Sequence, residues 1–206
     1  MSFSEELAIQ RWDDHRYYHH NLLNQSLHLV SALTFIACYV LLWIEPTVAV
    51  LLAWTVAMPS RQIGHFFFEP KSYDAVNHAT HDHKEAIKLG YNLRRKVILH
   101  GVWAAAPLLL LLDPSLLGLL TPASSTPALL ENIAWIWLVV AVGALLGRGL
   151  QLALTRGTLT GVVWMTKILT DPFHDVKLYH RAPLRLLRGE PANPASFSED
   201  PGAEPA

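Results

Sequence analysis

Histidine is the side chain best placed to do chemistry in this sequence, with 11 of them in 206 residues. The stretch YYHHNLLNQSLH, Tyr17 to His28, holds His19, His20 and His28 together with Asn21 and Asn24, directly ahead of an apolar run. Imidazole is the commonest metal ligand at neutral pH. His28 and His65 touch runs apolar enough to lie at membrane depth, where a strongly polar residue marks a functional position. His65 and Glu69 are four apart and share one face of a helix. His15 and His19 repeat that spacing, and His78 and His81 stand three apart. Nitrogen ligands plus a carboxylate, with positions left open, is a known way of holding ferrous iron for oxygen chemistry. In the polar flanks, His15 and His20 suit solvated interfacial positions equally well.

The elements that must position these residues are apolar. The chain is 51% hydrophobic and 16% charged, against about 25% charged residues in an ordinary soluble domain. Leu27–Ile44, Pro46–Ser60, Val97–Leu112 and Ile133–Leu146 carry no Lys, Arg, Asp or Glu. Crossing a bilayer takes roughly 17–25 mostly apolar residues. The expected fold is therefore an all-α membrane bundle of about four transmembrane helices in two hairpins, Leu27–Ile44 with Thr47–Phe67 and Val97–Leu112 with Ile133–Leu154. Buried helices of a large soluble core are the alternative. Thr158–Leu169 is too short to span and reads as an interfacial or re-entrant helix. The basic and apolar residues after it suit either the anionic inner leaflet or solvent. Residues 1–189 would form the membrane domain, and 190–206, rich in Pro, Ser and Ala, a disordered tail.

Charge gives the orientation. All 16 Lys and Arg fall in the N-terminal segment, in Arg61–Lys96, or from Arg148 onward, and none in the two other connections. Positive charge marks the cytoplasmic side, so both termini are expected there, at the inner membrane of a bacterium or the endoplasmic reticulum of a eukaryote. The histidines follow the same rule, since all 11 fall on that face. A metal site is expected where the bundle meets the cytoplasm. No signal peptide is visible, and one cysteine, Cys38, allows no intrachain disulfide. A net charge of −1 offers no footprint for nucleic acid.

Two of these stretches resemble a known family. YYHHNLLNQSLH is similar to the Y-H-x-N-x-x-N-x-x-x-H motif of the yeast and bacterial 2-hydroxy fatty acid dioxygenases. RQIGHFFFE, Arg61 to Glu69, resembles that family's Q-x-x-G-H-x-x-F-E motif. The matching residues are Tyr18, His19, Asn21, Asn24 and His28, then Gln62, Gly64, His65, Phe68 and Glu69. The resemblance covers about the first third of the chain. It implies a multi-span membrane enzyme that uses Fe(II) and O₂ to shorten a 2-hydroxy fatty acid by one carbon, with that lipid as its partner. It also implies His19, His28, His65 and Glu69 as catalytic metal ligands, with Asn21, Asn24 and Gln62 orienting ligands or substrate. A capping role suits Asn21 or Asn24 equally. PKSYDAVNHATHDHKE departs from the family's Asp-Asn pair, of which Asp74 and Asn77 are an approximate echo. The cluster His78, His81, His83 and the segment DPFHDVKLYH, with His174 and His180, are additions. With His20 they leave room for further ligands and a second metal.

Other classes remain open on the residues alone. HRYYHH and HATHDH loosely match the histidine boxes of di-iron membrane hydroxylases and desaturases, although a strict H-x-x-H-H box is missing. A non-enzymatic bundle that binds haem through facing histidines, or one that transports metal, is the third reading. A transporter would carry polar residues at midspan, and these runs hold almost none.

Overall fold

The computed structural model of the protein describes residues 1–69, 71–74 and 77–190. Among them the chain is all-helical, with one isolated extended pairing between Asp74 and Ala79. Helix α1, Phe3–Tyr18, starts in a capping box in which Ser2 and Glu5 satisfy each other's backbone. Only three residues separate it from α2, Leu22–Leu41, whose first turn is capped by Asn21 accepting from the Leu23 N–H at 2.8 Å. The next rod comprises α3, Pro46–Leu52, a π-helical turn at Ala53–Ala57, and α4, Met58–Phe67. Pro59 explains the wide turn. It has no N–H to give to the preceding turn, and the Met58 N–H bonds back five residues to Ala53 instead.

After α5, His81–Ile87, comes α6, Leu93–Ala105. Pro107 then tightens the chain into a 3₁₀ turn at Ala106–Leu108 before α7, Leu109–Leu112. Helix α8, Thr126–Arg156, is capped by Ser125 and ends at Gly157, whose φ of +110° only glycine adopts freely. Helices α9, Thr158–Tyr179, and α10, Ala182–Leu187, follow.

Three helices, Leu22–Leu41, Leu93–Leu112 and Thr126–Arg156, are long and apolar enough to cross a membrane. Only 6% of the apolar stretch in Leu93–Leu112 is buried within the protein, and 17% of that in Thr126–Arg156. Leucines and valines such as Val102, Leu111, Val139 and Leu150 face outward. A water-soluble monomer rarely exposes so much contiguous apolar surface, and lipid is the medium that would cover it. The fourth expected span, Thr47–Phe67, is helical but falls outside those three. Its last turns carry Arg61, Gln62 and His65.

One expectation is overturned. Thr158–Leu169 is not a short helix but the first half of α9, which has 22 residues and continues through Pro172. It packs against α8, α2 and α1. Its buried charges are satisfied by tertiary partners. Lys167 binds Asp14 and lies 2.9 Å from Asp171, which Arg11 meets at 3.4 Å. Gly161 allows α8 and α9 to touch, because a Cβ there would sit 2.4 Å from the Gly149 carbonyl oxygen. The expected tail lies outside the described residues, Glu190 excepted.

Candidate metal centre

The end of α1, the start of α2, the end of α4 and the end of α9 converge on one buried point. His19 follows the last turn of α1, His28 sits in the second turn of α2, and His65 in the last turn of α4. Asn24 and Gln25 hold the entry to α2 in shape. Their amides donate to the Tyr18 carbonyl at 2.9 Å and the His19 carbonyl at 2.8 Å. Gly64 brings α4 onto α2, since a Cβ there would lie 2.2 Å from Asn24 Oδ1. Close approach of these two backbones is what lets His65 reach His28.

The three rings pack together. Centroids are 4.1 Å apart for His19 and His28, 4.8 Å for His28 and His65, and 5.4 Å for His19 and His65. One ligand nitrogen from each falls within 4.8 Å of the others. That spacing suits a shared ion, because two nitrogens each ~2 Å from a metal lie at most ~4 Å apart, and small rotamer adjustments close the difference. All three residues are buried. His19 Nε2 and both ring nitrogens of His28 have no hydrogen-bond partner. A buried polar atom left unsatisfied costs about 1–3 kcal/mol, and a metal would satisfy them. The group can hold a metal ion.

Around the triad lies a second layer of acceptors. His65 Nδ1 meets Glu69 Oε2 at 2.8 Å, and His28 Nδ1 lies 3.7 Å from Asp175 Oδ2. His19 Nδ1 lies 3.3 Å from His15 Nδ1, which also contacts the Tyr179 hydroxyl. A carboxylate behind a ligating histidine fixes its tautomer and raises its basicity. Glu69 stands in that position. Asp175 is anchored by Arg61 at 3.1 Å, so that Arg11, Arg61 and Lys167 face Asp14, Asp171 and Asp175 in one partly buried network. Burial keeps His15 neutral, pulling its pKa down to about 4 against the opposing pull of Asp175. Burial, aided by the neighbouring His28, takes His19 well below its ordinary value. Neutral imidazole is the form that binds metal.

The remaining expected residues are distributed as follows. Asn21 is a helix cap. Gln62 is buried with its Oε1 unpartnered. His81 lines a cleft with His65 and Glu69. His174 is half-buried, its ring 5.2 Å from that of His15. His20 contacts the Arg16 carbonyl and lies 3.9 Å from Asp74. His78, His83 and His180 are exposed and outside the triad. Asp74 and Asn77 bond to each other, the Asn77 amide donating to Asp74 at 2.9 Å and to the Arg16 carbonyl at 2.9 Å. Sequence reasoning missed Asp175 and Tyr179 and left His15 open. Their signal was the four-residue spacing of Asp171, Asp175 and Tyr179, which puts all three on one face of a helix. Compared with protein-family models, with characterised proteins and with solved structures, the chain matches none.

Proposed function

We propose that this protein is a membrane-embedded, iron- and O₂-dependent dioxygenase that removes one carbon from 2-hydroxy fatty acids. The observation that carries this reading is the buried His19, His28 and His65 group with unpartnered nitrogens, set at the end of helices whose outer surfaces are apolar. Three histidines leave coordination positions open, as oxygen chemistry at ferrous iron requires. The ion, when bound, would supply O₂ activation and a Lewis acid for the 2-hydroxy acid. The overall reaction balances as 2-hydroxy acid plus O₂ giving the acid one carbon shorter, CO₂ and water.

The chain's own part is positioning and proton placement. Glu69 accepts from His65 and fixes which of its nitrogens faces the ion, and the charge of Asp175, 3.7 Å from His28 Nδ1, favours a proton on that nitrogen. Gln62 offers a buried acceptor for the substrate hydroxyl. Burial of the triad excludes water from the reacting carbon, and apolar helix surfaces hold the acyl tail so that binding energy becomes orientation. In this reading both termini and the 68–96 connection face the cytoplasm, on the distribution of Lys and Arg.

The test is incubation of purified, Fe(II)-loaded protein with 2-hydroxyhexadecanoate in air, followed by mass spectrometry. Wild-type protein should release the acid one carbon shorter, and His65→Ala should remain in the membrane without turnover. No shortened acid at any chain length, or equal turnover by His65→Ala, would defeat the proposal. A second reading, a two-iron lipid hydroxylase, draws on His15 and His174 beside the triad. Metal stoichiometry decides between them, one iron per chain for the dioxygenase and two for the hydroxylase.

A further inference from the structure

A narrow cleft opens beside the triad, lined by His65, Glu69 and Glu85 and by the lysines Lys71, Lys88 and Lys96. Its two carboxylates are already committed. Lys88 Nζ lies 3.4 Å from Glu69 Oε1 and 3.4 Å from Glu85 Oε1. The other oxygen of Glu69 takes His65 at 2.8 Å, and that of Glu85 takes the Leu93 N–H at 2.6 Å. Lys96 is left over. It is 9% exposed, and among the described residues no carboxylate lies within ion-pair distance of it. An ammonium is costly to bury without a counter-ion. An entering anion would be the partner it lacks.

We propose that Lys96, with Lys88 beside it, anchors the carboxylate head of the lipid substrate against the His65 side of the metal centre. This rests on the lipid-acid reading given above and names the group that selects the acid. Val97 and Ile98, which follow Lys96 directly, are both 57% exposed, so a tail leaving the cleft meets apolar surface at once.

Binding is measured by equilibrium dialysis of the purified, Fe(II)-loaded full chain in detergent, without oxygen so that nothing turns over. The probes are labelled 2-hydroxyhexadecanoate and the neutral hexadecane-1,2-diol. Wild-type protein should bind the acid at least about tenfold more tightly than the diol, the scale of a lost partner in a buried charge pair. Lys96→Met should remove that preference with metal content and diol affinity unchanged, Lys96→Arg should keep it, and Lys88→Met should weaken it. Equal binding of acid and diol by wild-type protein overturns the proposal and needs no variant to fold. Full preference in both Lys96→Met and Lys88→Met overturns it too. Turnover is read separately in air. Acid binding that depends on Lys96 without shortened product removes the reaction and keeps the anchor, whereas Lys96→Met turning over at unchanged KM does the reverse.

Discussion

Replacing Gly64 with alanine puts the whole construction of the metal centre at risk with one methyl group. The added Cβ would lie 2.2 Å from Asn24 Oδ1, 3.2 Å from Asn24 Cγ and 3.3 Å from His28 Cδ2. Asn24 cannot simply turn aside. It is fully buried, and its amide donates to the Tyr18 carbonyl, one residue ahead of His19, at 2.9 Å. An ordinary contact begins at 3.4 Å, so either α2 and α4 part by about 1 Å or the Asn24 bond breaks. Alanine's better helix propensity returns up to about 1 kcal/mol. Against it stand about 1–3 kcal/mol of overpacking and, where the bond breaks, about 1–3 kcal/mol for the unpaired buried amide. The expected net loss is about 1–5 kcal/mol where the bond breaks and about 0–2 kcal/mol where the helices part instead. A parting of about 1 Å also exceeds the ~0.5 Å within which a ligand set must be held. Metal affinity should then fall by about 10–100-fold, the range seen when the support of a ligating histidine is lost. The assay is metal titration against a competing chelator, with thermal unfolding alongside. Gly143→Ala, where an added Cβ meets nothing within 4 Å, is the control. If Gly64→Ala holds metal as tightly as wild type and melts no lower than the control, the close approach of α2 and α4 as the support of the ligand set is refuted.

Asp175→Asn should weaken metal binding by about tenfold or more and lower Tm, because it removes the carboxylate behind His28 and leaves Arg61 its more distant partner Asp171, at 3.9 Å. Unchanged metal affinity in that variant would show that Asp175 serves only the ion network. A third prediction concerns pH. Folded-state pKa values of His15 and His19 lie below the ordinary 6.5, that of His15 at about 4, so the unfolded chain binds protons that the folded one refuses. Their contribution to stability is complete above about pH 6.5 and is lost as pH falls toward 4, about 3 kcal/mol for His15 alone. Tm of the metal-free protein should drop through that window, less steeply in His15→Gln, and a flat wild-type profile would contradict the burial of these rings.

How far the sequence could be read depended on whether each signal was local. Runs such as Leu27–Ile44 and Ile133–Leu154 were legible because lipid rewards each residue independently, and the helices Leu22–Leu41 and Thr126–Arg156 contain nearly all of both. The π turn before Pro59 and the 3₁₀ turn at Pro107 were not read from the sequence, which took both runs as continuous apolar helices. Nor was helix α9. Within Thr158–Tyr179, Lys167, Asp171 and Asp175 argue against burial when only their neighbours are counted. Burial becomes favourable once Asp14, Arg11 and Arg61 arrive from segments more than a hundred residues away, and no periodicity shows a charge being neutralised at that distance. The triad falls between these cases. His19, His28 and His65 were singled out by motif and by their place at the ends of apolar runs, but spacing could not say that their rings would meet. That rests on Gly64, a residue whose role is to lack a side chain, and on Asn24, whose amide fixes the turn before His19. Asp175 and Tyr179 were hidden for the same reason as α9, since their contribution depends on the helix that the local charge pattern argued against. A helix carrying Lys167, Asp171 and Asp175 into the bundle is stable only with its partners in place, so the ion network and the candidate metal site are built together at Asp175, which pairs with Arg61 and stands behind His28.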